Sequence, residues 1–307
     1  MDILIFIVSM GALIYGADYI IEESEKIALH FDISPFIIGA TLVALGTSLP
    51  EMAVSMSASM QGSGDIAVAN VIGSTIFNIS LVLGTVFLIA KSVNPERDLF
   101  AKDSAWSLFP ILIFILMSID GKLSQLDGFI FLMLMGAYLM FLIQSDQVEE
   151  ADAEDTQDRD HFPWTKTLFL LVIGFVFVVG GANFAIESAG NIAREFGVSE
   201  WVIGLFLVAF GTSLPELTVA IKAARANNAD MAIGAIIGSN VANFTMVLGL
   251  SSIINPLNVD LNENFFDIIA ALIVSVMLVF ITANKLYNKS AGLVLMAVLV
   301  LVISNSF

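Results

Sequence analysis

Gly46-Thr47-Ser48-Leu49-Pro50-Glu51 and Gly211-Thr212-Ser213-Leu214-Pro215-Glu216 are the same six residues, present twice in one chain. Each copy lies inside a long apolar run, Phe36 to Met60 and Trp201 to Ala224. A charge at the centre of a membrane helix costs about 2.5–3.5 kcal/mol on insertion scales, so acids there usually line a pathway or a site. The offset between the copies is 165 (211 − 46), and it carries the first half onto the second without a gap from Gly16 to Gly84. Gly16-Ala17 falls on Gly181-Ala182, Ile27-Ala28 on Ile192-Ala193, and Phe31 on Phe196. Gly39 to Glu51 falls on Gly204 to Glu216 with ten identities in thirteen positions. Ile72-Gly73-Ser74 falls on Ile237-Gly238-Ser239, and Asn78 on Asn243.

Composition sets the solvent. Of 307 residues, 58% are hydrophobic and 13% charged, with a mean hydropathy of +0.91. A soluble domain carries about 25% charged residues, so this is a polytopic membrane protein. There is no Cys, which excludes disulfides and thiolate metal sites. His30 and His161, the two histidines, fall in expected loops, leaving no His-rich catalytic or zinc site in the membrane. Ile3 to Ile21 reads as a retained first helix rather than a removed signal. The net charge is −17, and nearly half of it comes from one stretch, Asp146 to Asp160. That acidity argues against nucleic-acid binding.

Spans of about 20 apolar residues divide the chain into ten segments: 3–28, 36–60, 65–90, 104–119, 124–144, 165–193, 200–224, 230–254, 265–283 and 288–305. The expected fold is therefore all-α, with ten transmembrane helices. Residues 1–144 form a first five-helix repeat, 145–164 an acidic linker and 165–307 a second repeat. Five is odd, so the second repeat enters the membrane from the opposite side. Inverted repeats of this kind are the architecture of secondary transporters that bind near the midplane. Ten of the 12 Lys and Arg lie at the ends away from the termini; Lys122 and Arg194 do not. The positive-inside rule then places both termini outside and the acidic loop in the cytoplasm.

On a helix, Ala44, Thr47, Ser48 and Glu51 share one face. Pro50 cannot donate to the Gly46 carbonyl, so a kink and released main-chain oxygens are expected there. Ala209, Thr212, Ser213, Glu216 and Pro215 repeat the set. The next helix adds Asn70, Ser74 and Asn78 at i, i+4 and i+8, with Gly73 expected to allow close helix approach. Ser239 and Asn243 keep that stripe, whereas Asn70 becomes Ala235. The pooled ligands are two carboxylates, hydroxyls, amides and carbonyls, all hard oxygens. Ca²⁺ takes 6–8 of these in flexible geometry, and hydroxyl and carbonyl clusters without further charge suit Na⁺. The absence of His, Cys and Met from these faces argues against Zn²⁺ or Cu⁺. A purely structural role for Ser, Thr and Pro is the bland alternative, and the doubled, acid-ended motif weighs against it. Glu22 and Glu187 also match, but at helix ends that suit solvation. Asp18 becomes Asn183, which removes any doubled charge there. The acidic loop lacks a calcium-loop pattern and reads as a solvated linker.

At Gly39 to Glu51, at Ile72-Gly73-Ser74 through Asn78, and at both second copies, the chain resembles the Ca²⁺/cation antiporter superfamily, specifically prokaryotic sodium/calcium exchangers. The resemblance covers essentially the whole chain. It implies an antiporter of the cell membrane that exchanges Na⁺ for Ca²⁺ by alternating access, with no cofactor. Its partners would be the two ions as substrates and the lipid bilayer, with no obligate protein partner. It implies that Glu51 and Glu216, with main-chain oxygens of Thr47 and Thr212, hold Ca²⁺. Ser48, Ser74, Ser213, Ser239, the Thr212 hydroxyl and the carbonyls of Ala44 and Ala209 would complete flanking Na⁺ sites. Asn78 and Asn243 would line the centre. The first and sixth helices, Gly-bearing at Gly16 and Gly180-Gly181, would slide across this core. In some relatives, including potassium-dependent ones, the position of Asn243 is Asp; here the central carboxylate count is two, which disfavours K⁺ co-transport. An H⁺/Ca²⁺ antiporter of the same fold stays open, since a buried carboxylate can exchange a proton for the cation. An intramembrane hydrolase would need a nucleophile with a base or an H-E-x-x-H pair, and neither is present. A channel fits inverted repeats with broken helices less well than alternating access does.

Overall fold

Long apolar runs in lipid must satisfy their backbone internally, and a helix does so within one segment. The computed structural model describes residues 1–90, 95, 97–99, 103–147, 162–195, 209–261 and 264–305. In chain order its helices are α1 (Asp2–Phe31), α2 (Pro35–Thr47), α3 (Leu49–Met60), α4 (Gly64–Ile89), α5 (Ser104–Asp120), α6 (Gln125–Gln147), α7 (Trp164–Glu195), α8 (Ala209–Thr212), α9 (Leu214–Arg225), α10 (Ala229–Ile254), α11 (Phe265–Ala283) and α12 (Lys289–Asn305). Six of them, α1, α4, α6, α7, α10 and α11, are long and apolar enough to cross a membrane. The bent pair α2 and α3 would make a seventh. Most of the acidic run, residues 200–208 of the segment expected at 200–224, and Lys91, Lys102 and Arg159 lie outside the described residues.

Local chemistry explains the breaks. Ser34 caps α2 by accepting from the Ile37 amide, and Pro35 begins it. The α2–α3 pair bends by 46° at Ser48, one residue before the Leu49-Pro50 start of α3. Three helices also widen by a π-helical turn: α2 at Gly39–Val43, α4 at Asn78–Leu83 and α10 at Asn243–Val247. Such turns concentrate at functional sites. Here two of them begin on the repeat-equivalent asparagines.

The described chain also contains a two-residue ribbon outside the all-α expectation. β1 (Lys122–Leu123) pairs antiparallel with β2 (Leu257–Asn258) and ties the α5–α6 connection to the α10–α11 connection. Gly121 supplies the positive φ, 86°, that the turn before β1 requires.

Helix α10 is the centre: 94% of its apolar window is buried, against 28% for α1, α6 and α7. It can be central because Gly234 and Gly238 lie directly on the backbone of α2, where a Cβ would sit 2.3 Å from the Phe36 carbonyl oxygen and 2.2 Å from that of Ala40. Gly73 is expected to serve close approach too; the position that the repeat sets against it, 205 (40 + 165), lies outside the described residues. The two long outer helices, α1 and α7, run antiparallel and touch through Gly16, Gly174 and Gly181. Asn191 bonds Asp2 at one end of the pair, at 3.0 Å, and His30 stacks on Phe162 at the other, at 4.3 Å. His30 thus belongs to the last turn of α1 rather than to a loop, because the helix continues to a left-handed cap at Asp32.

These contacts define two ends of the bundle. The terminal end holds Asp2, Asn191, the ribbon, and Ser59, whose hydroxyl bonds the Ser251 carbonyl at 2.6 Å. The linker end holds Phe162, Asp230 and a buried arginine, Arg97. The Arg97 guanidinium grips Asp103 at 2.6 and 3.1 Å, bonds Ser145 at 2.7 Å and lies over the Phe36 ring at 4.8 Å. Its backbone N–H donates to Asp230. Nearby, burial followed by the carboxylates of Asp98 and Asp230 pushes the Tyr287 phenol up to about 12. Breaking one side of a buried pair leaves the other charge stranded, so Arg97→Ala is expected to cost about 3 kcal/mol, read as a lowered unfolding temperature in detergent.

Candidate ion-binding site

The bend in α2–α3 and the π-helical turns bring the polar faces to one place. Glu51, in the first turn of α3, is 0% exposed, and Glu216, in the first turn of α9, is 4% exposed. Each acid follows its proline by one residue, so each begins a helix beside a loosened backbone. Each is also surrounded by hydroxyls drawn from both halves. Thr212 and Ser74 stand beside Glu51; Thr47, Ser48 and Ser239 stand beside Glu216. The Ser48 hydroxyl donates to Glu216 Oε1 at 3.2 Å, and the Ser74 hydroxyl to Glu51 Oε1 at 3.5 Å. The Oε2 atoms of both acids are buried with no hydrogen-bond partner among the described residues.

The two copies are used unequally. Thr47 turns its hydroxyl onto its own helix, at 3.2 Å from both the Val43 and Ala44 carbonyls. Thr212 and Ser213 are buried, and among the described residues their hydroxyls make no hydrogen bond. The Ala44 carbonyl, expected as a cation ligand, accepts from the Ser48 amide at 3.0 Å, the Thr47 hydroxyl and the Ser239 hydroxyl, the last at 3.4 Å. Ala209 begins α8, with its side chain outside the described residues. Asn70 bonds the Glu51 carbonyl and the Ser55 hydroxyl, at 3.3 and 3.0 Å, which gives it a packing role against α3. Glu22 and Glu187 are exposed on α1 and α7.

A row of amides closes the centre. Asn78 and Asn243 are both fully buried where their π-helical turns begin. The Asn78 Nδ2 donates to Asn240 Oδ1 at 3.3 Å. Among the described residues, Asn78 Oδ1 and both polar atoms of Asn243 have no partner. Asn240 is a residue that comparison of the repeats passes over. Its equivalent (240 − 165) is Thr75, which bonds its own Val71 carbonyl at 2.9 Å. The usable signal was an amide one residue after Gly238-Ser239 in an otherwise apolar helix.

Two buried carboxylates with unpaired oxygens, ringed by neutral oxygens, are a donor set with the chemistry to hold a cation. Burying such groups unpaired is costly, and a bound cation offsets that cost. Among the described residues no group of three His, Cys, Asp or Glu converges. The charge available is therefore that of the glutamate pair. A cleft of about 780 Å³ lies beside these residues, lined by Pro50, Ala53, Ser57 and Gln61 on the α3 side, by Asn183 of α7, and by Thr212.

Comparison with known proteins gives the family. The family model described as sodium/calcium exchanger protein matches residues 1–144 and 166–307. The sodium/calcium exchanger MaX1 of Methanosarcina acetivorans is 32% identical, over 96% of this chain and 95% of its own. A membrane protein of Methanocaldococcus jannaschii, itself uncharacterized, is 39% identical over 81% of this chain and 80% of its own. A solved structure of the sodium-calcium exchanger NCX_Mj, soaked with Na⁺ and Sr²⁺, superposes with a TM-score of 0.85 at 33% identity, covering 99% of this chain and 97% of that one. With its doubled acidic motif, its buried glutamate pair and a match along nearly its whole length, the chain belongs to the sodium/calcium exchanger protein family.

Proposed function

We propose that the protein is a Na⁺/Ca²⁺ antiporter in which the two ions compete for Glu51 and Glu216. The observation that carries this reading is the pair of buried carboxylates, each at the head of a broken helix and each ringed by hydroxyls from both halves. Two ionised Glu balance one Ca²⁺, and the hydroxyls of Ser48, Thr212, Ser213, Ser74 and Ser239 suit Na⁺ beside it. The carbonyls of Ala44, Thr47, Ala209 and Thr212 are proposed as the main-chain ligands, with the amides of Asn78 and Asn243 lining the centre. Coupling requires that only loaded forms pass between the two access states, because a ligand shifts an equilibrium only by its differential affinity.

The proposed architecture is ten spans in two inverted five-helix repeats, 1–144 and 165–307, joined by the acidic linker. The assignment of ends in the bundle supports it, as does the use of one motif by both halves. The positive-inside bias supports termini outside and a cytoplasmic linker.

The test is ⁴⁵Ca²⁺ uptake into proteoliposomes under an outward Na⁺ gradient at uniform pH, set against a pH gradient without Na⁺. Uptake under the first alone is expected. Uptake under the second alone would assign proton coupling instead. Asn243→Asp raises the central carboxylate count from two to three. Its expected effect is a steeper dependence of Ca²⁺ release on Na⁺, because one more monovalent charge is balanced; an unchanged slope would remove Asn243 from the charge balance.

A further inference from the structure

The two outer helices meet the core differently at the two ends. At the terminal end, α7 stands away from α3, and the 780 Å³ cleft lies between them. At the repeat-equivalent place, α1 packs along α9. There Lys222 Nζ lies 2.7 Å from Asp18 Oδ1, with side chains 26% and 41% exposed. The repeat offset carries Asp18 onto Asn183 and Ser57 onto Lys222 (18 + 165, 57 + 165). Both Ser57 and Asn183 line the open cleft. They do not pair: the Ser57 hydroxyl accepts from Gln61 of its own helix at 3.0 Å. One pair of equivalent positions is therefore charged and in contact, and the other is neutral and apart.

The contrast matters because inverted repeats make the two access states near mirror images of each other. With identical pairs at both ends, neither state would be favoured by these positions. We infer that the Asp18–Lys222 ion pair is a latch between α1 and α9 that holds the linker end shut and biases the protein toward the state whose cation site opens to the terminal end. The latch has to break each time α1 and α7 move against the core. The neutral Ser57 and Asn183 then close the opposite cleft with no equivalent attraction. This inference rests on the alternating-access reading above. A partly exposed ion pair shifts an equilibrium by about fivefold at most, enough to bias the two states and too little to freeze the cycle.

The chain has no cysteine, so single introduced thiols report access cleanly. Ala53→Cys places one in the cleft, and Thr218→Cys places one at the repeat-equivalent position (53 + 165). In vesicles of defined orientation, a membrane-impermeant thiol reagent should label Ala53→Cys from the terminal side and Thr218→Cys slowly from the linker side. Adding Asp18→Asn or Lys222→Gln should raise Thr218→Cys labelling about threefold to fivefold and lower Ala53→Cys labelling. The exchanged pair Asp18→Lys with Lys222→Asp should return both rates toward the parent. Labelling unchanged from the parent in the single variants overturns the latch, as does a swap that behaves like the singles. Ca²⁺ exchange is measured on the same vesicles. Exchange with unaltered labelling rejects the latch alone, whereas absence of coupled exchange in the cysteine-bearing parent rejects the alternating-access reading itself.

Discussion

Glu51→Gln and Glu216→Gln are each expected to lower Na⁺-driven Ca²⁺ uptake by about a hundredfold or more. The side chain keeps its volume and one acceptor oxygen, so the substitution removes charge and little else. Unit charges about 4 Å apart attract by about 4 kcal/mol at an effective dielectric of 20, and a divalent ion by about twice that. Retaining a third of the difference after desolvation still leaves about a hundredfold. Both acids are almost wholly buried, so water has little room to replace the lost interaction. The fold should survive, because a neutral amide is easier to bury than an unpaired carboxylate. Thermal unfolding in detergent at the parent's temperature or above, together with absent ⁴⁵Ca²⁺ uptake, is the expected pair of results. Parent-like uptake in either variant would remove that glutamate from the site.

Gly238→Ala carries the largest expected loss of stability. A Cβ at Gly238 would stand 2.2 Å from the Ala40 carbonyl oxygen and 2.7 Å from the Ala40 carbonyl carbon and Cα. All three are main-chain atoms, so no rotamer change relieves the overlap; α2 and α10 must separate. That separation moves Ser239 from Ala44 at the edge of the proposed cation site. We expect a loss of about 4 kcal/mol or more, seen as aggregation or a collapsed unfolding temperature. Gly136→Ala is the control. Gly136 is exposed on α6, and a helical Gly→Ala change there should be neutral or stabilise by up to about 1 kcal/mol. Equal effects at the two glycines would mean that the α2–α10 contact is not what fixes the site.

Gly238 also shows how far the sequence could be read. Its place in the repeat marks it for close helix approach, but its partner, the Ala40 backbone of α2, is not written in that pattern. Periodicity assigns a residue to a face; it does not say which neighbour that face meets. For the same reason the doubled Glu-Thr-Ser face was legible, whereas the unequal engagement of Thr47 and Thr212 was not. Asn240 escaped because a repeat comparison rewards matches, and its counterpart is Thr75. Arg97 was legible only as one charge in a topology count, since its contacts with Ser145 and Phe36 join residues distant in sequence. The short ribbon escaped because two-residue strands carry no alternating pattern. Among the described residues, by contrast, helices lie on the apolar runs, six of them long and apolar enough to span, and the expected break at the first Ser-Leu-Pro is the 46° bend at Ser48. There the physics is local: a proline without an N–H ends one helix and begins another wherever it sits.

The central claim is that Ca²⁺ and Na⁺ share one pair of buried glutamates. Equilibrium ⁴⁵Ca²⁺ binding to the purified protein, titrated with Na⁺ and repeated on the Glu51→Gln/Glu216→Gln double variant, addresses it most directly. The account predicts saturable Ca²⁺ binding that Na⁺ displaces completely and that the double variant lacks. Ca²⁺ that stays bound against saturating Na⁺, or that binds the double variant as it binds the parent, would contradict it.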